Sequence, residues 1–346
     1  MQQAGSYLLA LAALVVVLGG LWAAAALFAP LACALFIIAV VAPWQRRLEA
    51  WLPRSLALAL AVLAIIAVVG AYAAMAAWAI GRAGQWLVEN SGTILRRYQE
   101  ILDLLAAEDL QAAGMFAAPL DLGLLLGLAR GLAASLQGLA TFCLLMLLFV
   151  GFGLVEVTPL TVRLRSAGPD GSAARLLAYG QALSRHYRRY LLLRTAMSLA
   201  TGLCVYAIAW LFALPLAAEW GVLAFVLNYL PFIGPLVATL LPCLLALVHL
   251  DSSLAAAGAM AAMVAAQMAI GNGLEPSLAG ASLSMPPLLV LLAVLFWSLL
   301  WGPAGAFIGV PLAAAATQAL RLHPRTAHWG GWSNPGGMAE AGPIRR

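Results

Sequence analysis

The sequence predicts an all-α, polytopic integral membrane protein of about eight transmembrane helices, with Gly/Pro-broken helices in its C-terminal half. Of 346 residues, 64% are hydrophobic and 9% charged, and the mean hydropathy is +0.99. Soluble domains are about 45–50% apolar and about 25% charged. A water-soluble surface cannot absorb such an excess, so the bilayer is the solvent. The apolar residues also fall in runs near the ~20 residues that a helix needs to cross ~30 Å of hydrocarbon. Finally, all 18 basic residues are arginines, and most lie between those runs.

Taken in order, the runs place spans at 7–28, 31–44, 55–80, 132–157, 195–214, 220–249, 254–273 and 287–318. The first run lacks a basic leader and exceeds a signal peptide's apolar core, so it reads as a retained span. Nothing polar separates spans 1 and 2, which predicts a tight hairpin kinked at Pro30, where the helix loses a backbone bond. Spans 6 and 8 are overlong for one crossing and are interrupted by Gly and Pro, so the alternative to eight crossings is that both are re-entrant hairpins, which moves only the 249–253 and 274–287 loops to the other side.

Fourteen of the 18 arginines lie after span 2, after span 4 and in the tail. With eight crossings and a cytoplasmic N-terminus, all three segments are cytoplasmic, as positive-inside bias requires. The protein is then a multi-pass resident of the bacterial inner membrane with both termini inside. The organisation is 1–80 (helices 1–3), 81–131 (an external amphipathic helical segment), 132–157 (helix 4), 158–194 (a cytoplasmic basic interfacial segment), 195–320 (helices 5–8) and 321–346 (a disordered cytoplasmic tail). In 170–194, Arg175, Arg185, Arg188, Arg189 and Arg194 alternate with leucines, a pattern suited to an interfacial helix on anionic lipids. A basic helix end flanking span 5 is the alternative. The net charge of +5 flanks apolar runs and carries no nucleic-acid signal.

Enzyme chemistry finds no support. There is no HExxH, GxSxG or phosphate-binding loop, and the four histidines share no ligand spacing. The four cysteines form no CxxC and read as small buried hydrophobes. No cofactor and no metal site is expected.

Three stretches carry the candidate site. Asn228-Tyr229-Leu230-Pro231-Phe232-Ile233-Gly234-Pro235 cannot continue an ordinary helix, because each proline removes an N–H and clashes with the turn before it. Carbonyls freed in hydrocarbon must find protein, water or solute. Asn272, Glu275 and Pro276 sit at the end of an apolar span, where polar groups are costly unless functional or interfacial. Glu275 reads as a proton carrier, a polar ligand or a capping residue. Gly302, Gly305 and Pro311, within Trp301–Leu312, allow close helix approach or a broken turn. A ligand-free kink is the alternative at 231–235, and plain packing is the alternative at 302–311.

The order HYRRY (186–190), LNYLPFIGP (227–235), GNxxEPxxxG (271–280) and WGPxGxxxxVPL (301–312) resembles the autoinducer-2 exporter (AI-2E) family. Each piece is weak alone; their order and spacing are specific. The N-terminal half is similar only in layout. Many members carry a His-Pro pair where this chain has Met285-Pro286-Pro287, so no proton role for a histidine carries over there. The resemblance implies a homo-oligomer, with a pentamer as the form it suggests, and a mobile transport unit sliding against a scaffold. It also implies substrates that differ between members, autoinducer-2 in some and sodium or protons in others.

The resulting expectation is alternating access in 195–320, with Asn228, Asn272 and Glu275 as polar contacts to a small, uncharged polar solute exported on a proton gradient. A monovalent cation/proton antiporter is one rival, although no carboxylate sits securely at mid-span. A membrane scaffold without a solute path is the other.

Overall fold

A computed structural model describes residues 2–107, 122–166, 168, 171–275, 277 and 285–322. Pro276, most of the tail and 108–121 of the amphipathic segment lie outside the described residues. The elements are helices α1 (Gln2–Ala23), α2 (Ala25–Leu48), α3 (Arg54–Glu89), α4 (Ser91–Ala107), α5 (Leu122–Ser166), α6 (Ser172–Leu211), α7 (Ala217–Leu227), α8 (Ile233–His249) and α9 (Ser253–Met268), a π-helix (Ala269–Leu274) and α10 (Pro287–Leu322). Among the described residues, six helices are long and apolar enough to cross a membrane. Their leucines, valines and tryptophans are widely exposed, as lipid-facing surface must be.

The chain divides into two compact units, each assembled from separate segments. Unit 1 comprises Met1–Val69, Phe142–Leu193 and Leu278–Arg346; unit 2 comprises Gly70–Thr141 and Arg194–Ser277. In unit 1, Phe36 of α2 packs on Tyr187 of α6 and edge-on to Phe307 of α10, with ring centroids 4.8 and 6.1 Å away. The polar ends of that face are also used. Ser184 donates to the Ala39 carbonyl (2.6 Å), Tyr187 to Pro311 (2.9 Å) and Tyr179 to Ala315 (2.9 Å).

Two expectations are corrected. The hairpin at Pro30 is absent, since α2 runs unbroken through that proline. The chain instead bends at Ala24, whose φ/ψ of −100/27 lies outside the helical well. The ladder resumes within a turn, with Ala24 N–H on Gly20 and Phe28 N–H on Ala24. The Leu21 carbonyl, left over at the bend, accepts the Trp301 indole N–H at 3.0 Å. Next, the basic 172–194 stretch is no separate interfacial helix. It is the first half of α6, a continuous 40-residue helix, about 60 Å long.

Spans 6 and 8 take the re-entrant alternative, each folding back on itself. Ala224 of α7 and Ala238 of α8 share one buried cluster, although a straight helix would hold them about 21 Å apart. In α10 a Cβ on Gly309 would lie 3.0 Å from the Ala293 carbonyl oxygen; a straight helix would separate the two by about 24 Å.

Ion pairs within unit 2 show which loops share an end. At one end Arg82 pairs with Glu219 (3.3 Å), and Arg97 pairs with Asp251. At the other, Arg194 meets Glu275 at 3.8 Å. Arg194 and Leu211 are separated along α6 by about 26 Å, close to one bilayer core. Eight full crossings would put Asp251 across the membrane from Arg97, and Glu275 across from Arg194. Hairpins at spans 6 and 8 put each pair on one side.

An impermeant maleimide should therefore label Ser253→Cys from the same side as Glu100→Cys, and Ser277→Cys from the opposite side. Labelling of Ser253→Cys and Glu100→Cys from opposite sides would restore the eight-crossing arrangement.

Candidate solute-binding site

The break between α7 and α8 is built from a sharply strained turn. The Pro231 carbonyl accepts the Ile233 N–H at 2.8 Å, closing a three-residue turn around Phe232. Phe232 has φ 64 and ψ −55, the rare γ-turn geometry that costs about 1–3 kcal/mol for a residue bearing a Cβ. Pro231 is buried beneath it. Gly234 is buried where a Cβ would come within 1.8 Å of the Leu227 carbonyl oxygen, so the two arms close only over a residue with no side chain.

The polar backbone of the break is largely satisfied from within. Leu227 O accepts Leu230 N–H (2.9 Å), and Leu230 O accepts Gly234 N–H (3.0 Å). Tyr72 donates to Val226 O at 2.8 Å, and Pro235 O accepts the Thr239 hydroxyl at 2.8 Å.

The side chains are less satisfied. Asn228, which ends α7, is buried and places its amide nitrogen 3.4 Å from the Ser198 hydroxyl of α6. Thr201, one turn along α6, is also buried, and its hydroxyl has no hydrogen-bond partner among the described residues. A buried unpaired hydroxyl costs about 1–3 kcal/mol, and a threonine hydroxyl in a helix ordinarily bonds back to the preceding turn. Tyr229 donates to Thr195 (2.8 Å) and stacks edge-on with Tyr72 and Phe225.

Helix α6 ties Glu275 to the same place. Arg194 pairs with Glu275, Thr195 with Tyr229 and Ser198 with Asn228, so one turn and its neighbour gather the break and the carboxylate. Glu275 follows a π-helix, a wide turn frequent at functional sites.

Of the residues that the sequence singles out, the structure brings together Asn228, Pro231, Gly234, Pro235 and Glu275. Asn272 lies in the π-helix with its side chain exposed. Pro276 is outside the described residues. Gly302, Gly305 and Pro311 belong to unit 1, where they build the second break. Gly302 has φ 61 and ψ −142, a conformation open to glycine alone. A Cβ on Gly305 would lie 1.8 Å from Trp297 O, and Pro311 receives Tyr187. Thr195, Ser198 and Thr201 escape sequence reading, Arg194 reads only as a charge of the basic segment, and Phe232 only as part of the 228–235 stretch. The signal for three of them was present: Thr195, Ser198 and Thr201 recur every third residue within an apolar span.

Gly234→Ala and Gly305→Ala should each lower the melting temperature in detergent, at an overpacking cost of about 1–3 kcal/mol or more. Gly271→Ala, where a Cβ meets nothing within 4 Å, should leave it unchanged. Equal melting temperatures for all three would show that the hairpins do not depend on these glycines.

The family described as AI-2E family transporter matches residues 11–325. The chain is 29% identical over 311 residues to the AI-2 transport protein TqsA of Escherichia coli (strain K12), covering 89% of each chain. It is 30% identical over 312 residues to YhhT of the same strain, provisionally named a transport protein, covering 88% of this chain and 87% of that one. A similarly named protein of Haemophilus influenzae is 27% identical over 337 residues, covering 93% of this chain and 94% of its own length.

Proposed function

The chain belongs to the AI-2E family of transporters, and on that premise we propose that it exports a small, uncharged polar solute, with the quorum-sensing signal autoinducer-2 as the first candidate. The observation that carries this reading is the Thr201 hydroxyl, buried and without a partner among the described residues, one turn of α6 from the Ser198 that meets the Asn228 amide. Hydroxyls and amides both donate and accept, so they suit a neutral solute rich in hydroxyl or carbonyl oxygen. The sequence relation to TqsA, named for AI-2 transport, supports the choice of first candidate.

The mechanism is alternating access, in which the solute binds at the break between α7 and α8 and the break is exposed to one side at a time. Glu275 carries the coupling proton, and its pairing with Arg194 reports the side toward which the site is closed. The protein resides in the bacterial inner membrane as a homo-oligomer, a pentamer by family resemblance, with both termini cytoplasmic. A cation antiporter is less favoured, because it wants a carboxylate buried at mid-span and Glu275 is only half-buried.

Flux of autoinducer-2 in proteoliposomes under an imposed pH gradient tests the reading. Thr201→Val keeps shape and removes one hydroxyl. It should lower flux about five- to tenfold, the worth of one hydrogen bond, while leaving the melting temperature unchanged or raised. Asn228→Ala should lower both. Glu275→Gln should leave binding intact and abolish the response to the gradient. Wild-type flux from Thr201→Val would remove this cluster from the solute path, and sodium-dependent proton movement without solute flux would establish the antiporter.

A further inference from the structure

Unit 1 has an unexplained concentration of positive charge where α2, the turn into α3 and the end of α5 meet. Arg46 donates to the Thr161 hydroxyl, joining α2 to α5. Arg54 donates to the Val155 carbonyl at 2.9 Å, joining α3 to α5. Arg47 follows Arg46 in the chain, and Arg163 and Arg165 lie in the last turn of α5; all three are exposed. None of these five arginines belongs to an ion pair among the described residues.

Two carboxylates, Glu49 and Glu156, lie on these elements against five arginines. Glu49 is engaged by the Gln45 amide (3.0 Å) and lies 3.4 Å from the Thr158 hydroxyl. The Arg46 guanidinium reaches α5 at Thr161, and Arg165 stands about one helical turn beyond Thr161. Cationic side chains are thus gathered at these helix ends in excess of the carboxylates. Such an arrangement is unfavourable alone and favourable around a phosphate, which guanidinium groups bind with paired donors.

The surroundings identify which phosphate. Trp51 is 88% exposed and Trp44 is 44% exposed, on either side of the arginines in sequence. Tryptophan favours the headgroup level, where an apolar ring meets water. Immediately beyond, Leu56 and Leu60 of α3 and Phe152 and Val155 of α5 are exposed apolar surface. The charge therefore sits at the edge of the lipid-facing belt, at the depth of lipid headgroups.

We propose that Arg46, Arg47, Arg163 and Arg165, flanked by Trp44 and Trp51, form a binding site for the headgroup of an anionic phospholipid that clamps the end of α2 to the end of α5. This assignment concerns unit 1 alone and stands whatever solute the protein carries.

Arg165→Gln is the informative variant, because Arg165 is exposed and makes no hydrogen bond that the fold depends on. The purified full chain is melted in nanodiscs of phosphatidylcholine alone and of phosphatidylcholine with phosphatidylglycerol. Wild type should melt higher with phosphatidylglycerol. Arg165→Gln should melt at or above wild type in pure phosphatidylcholine, because a repulsion is gone, and should lose most of the gain from phosphatidylglycerol. By native mass spectrometry, retention of phosphatidylglycerol should fall roughly fivefold for each arginine removed. Arg185→Gln, on α6, should behave as wild type in both assays.

Three results would overturn the proposal. An equal response to both lipids would mean that no headgroup is selected. An equal loss from Arg185→Gln would mean a diffuse attraction with no built site. Equal stabilisation by inorganic phosphate in pure phosphatidylcholine would mean a site for soluble anions.

Discussion

A backbone polar group in hydrocarbon has no water to fall back on, and this constraint shapes the protein more than any other. A helix meets it automatically, so wherever the sequence interrupts a helix the freed groups must be matched one by one. The two interruptions in this chain are handled alike. At Phe232 and at Gly302 the backbone takes a positive φ, the chain reverses, and a glycine without a Cβ lets the returning arm lie against a carbonyl of the first. The lone N–H and C=O groups then find partners inside the turn or on a neighbouring tyrosine. The bend at Ala24 follows the same logic, with the indole of Trp301 supplying the donor that Leu21 lacks.

Once the backbone is settled, what remains unsatisfied is informative. Near the α7–α8 break the buried side chain left without a partner among the described residues is the Thr201 hydroxyl, one helical turn from the Ser198 that meets Asn228. That hydroxyl is the ground of the proposed solute site. It also explains why α6 matters: a single face of that helix presents Arg194, Thr195 and Ser198 to Glu275, Tyr229 and Asn228. Closing or opening one contact there alters the setting of the others. The cationic end of unit 1 poses the opposite problem, a surplus of charge rather than of hydrogen-bonding capacity, and the lipid headgroup layer is where such a surplus is matched.

Much of this was legible in the sequence. Composition and run length identify the membrane and the helices, because burying apolar side chains in lipid leaves a strong compositional trace. The motif 228–235 located the first break, because proline's missing N–H is a local property. What the prolines could not reveal is the direction of the chain beyond them. Pro231 and Pro235 are compatible with a kink or a reversal, and Phe232 decides between them through a dihedral angle that no residue type announces. Pro30 shows the converse: a proline that the helix tolerates, while the bend falls at Ala24, an unremarkable alanine. The partners of Asn228 were likewise hidden, since hydroxyls on α6 acquire meaning only when the hairpin is brought against them.

The central claim is that the chain reverses at Phe232, and the separation of spin labels at Ala218→Cys and Leu247→Cys tests it most directly. Both positions are exposed and lie near the far ends of α7 and α8. Packed antiparallel arms stand about 8–10 Å apart, so electron paramagnetic resonance should report a label separation below roughly 20 Å once label length is included. A continuous helix with a mild kink would hold the labels about 40 Å apart, and that result would contradict the reversal and the solute site built on it.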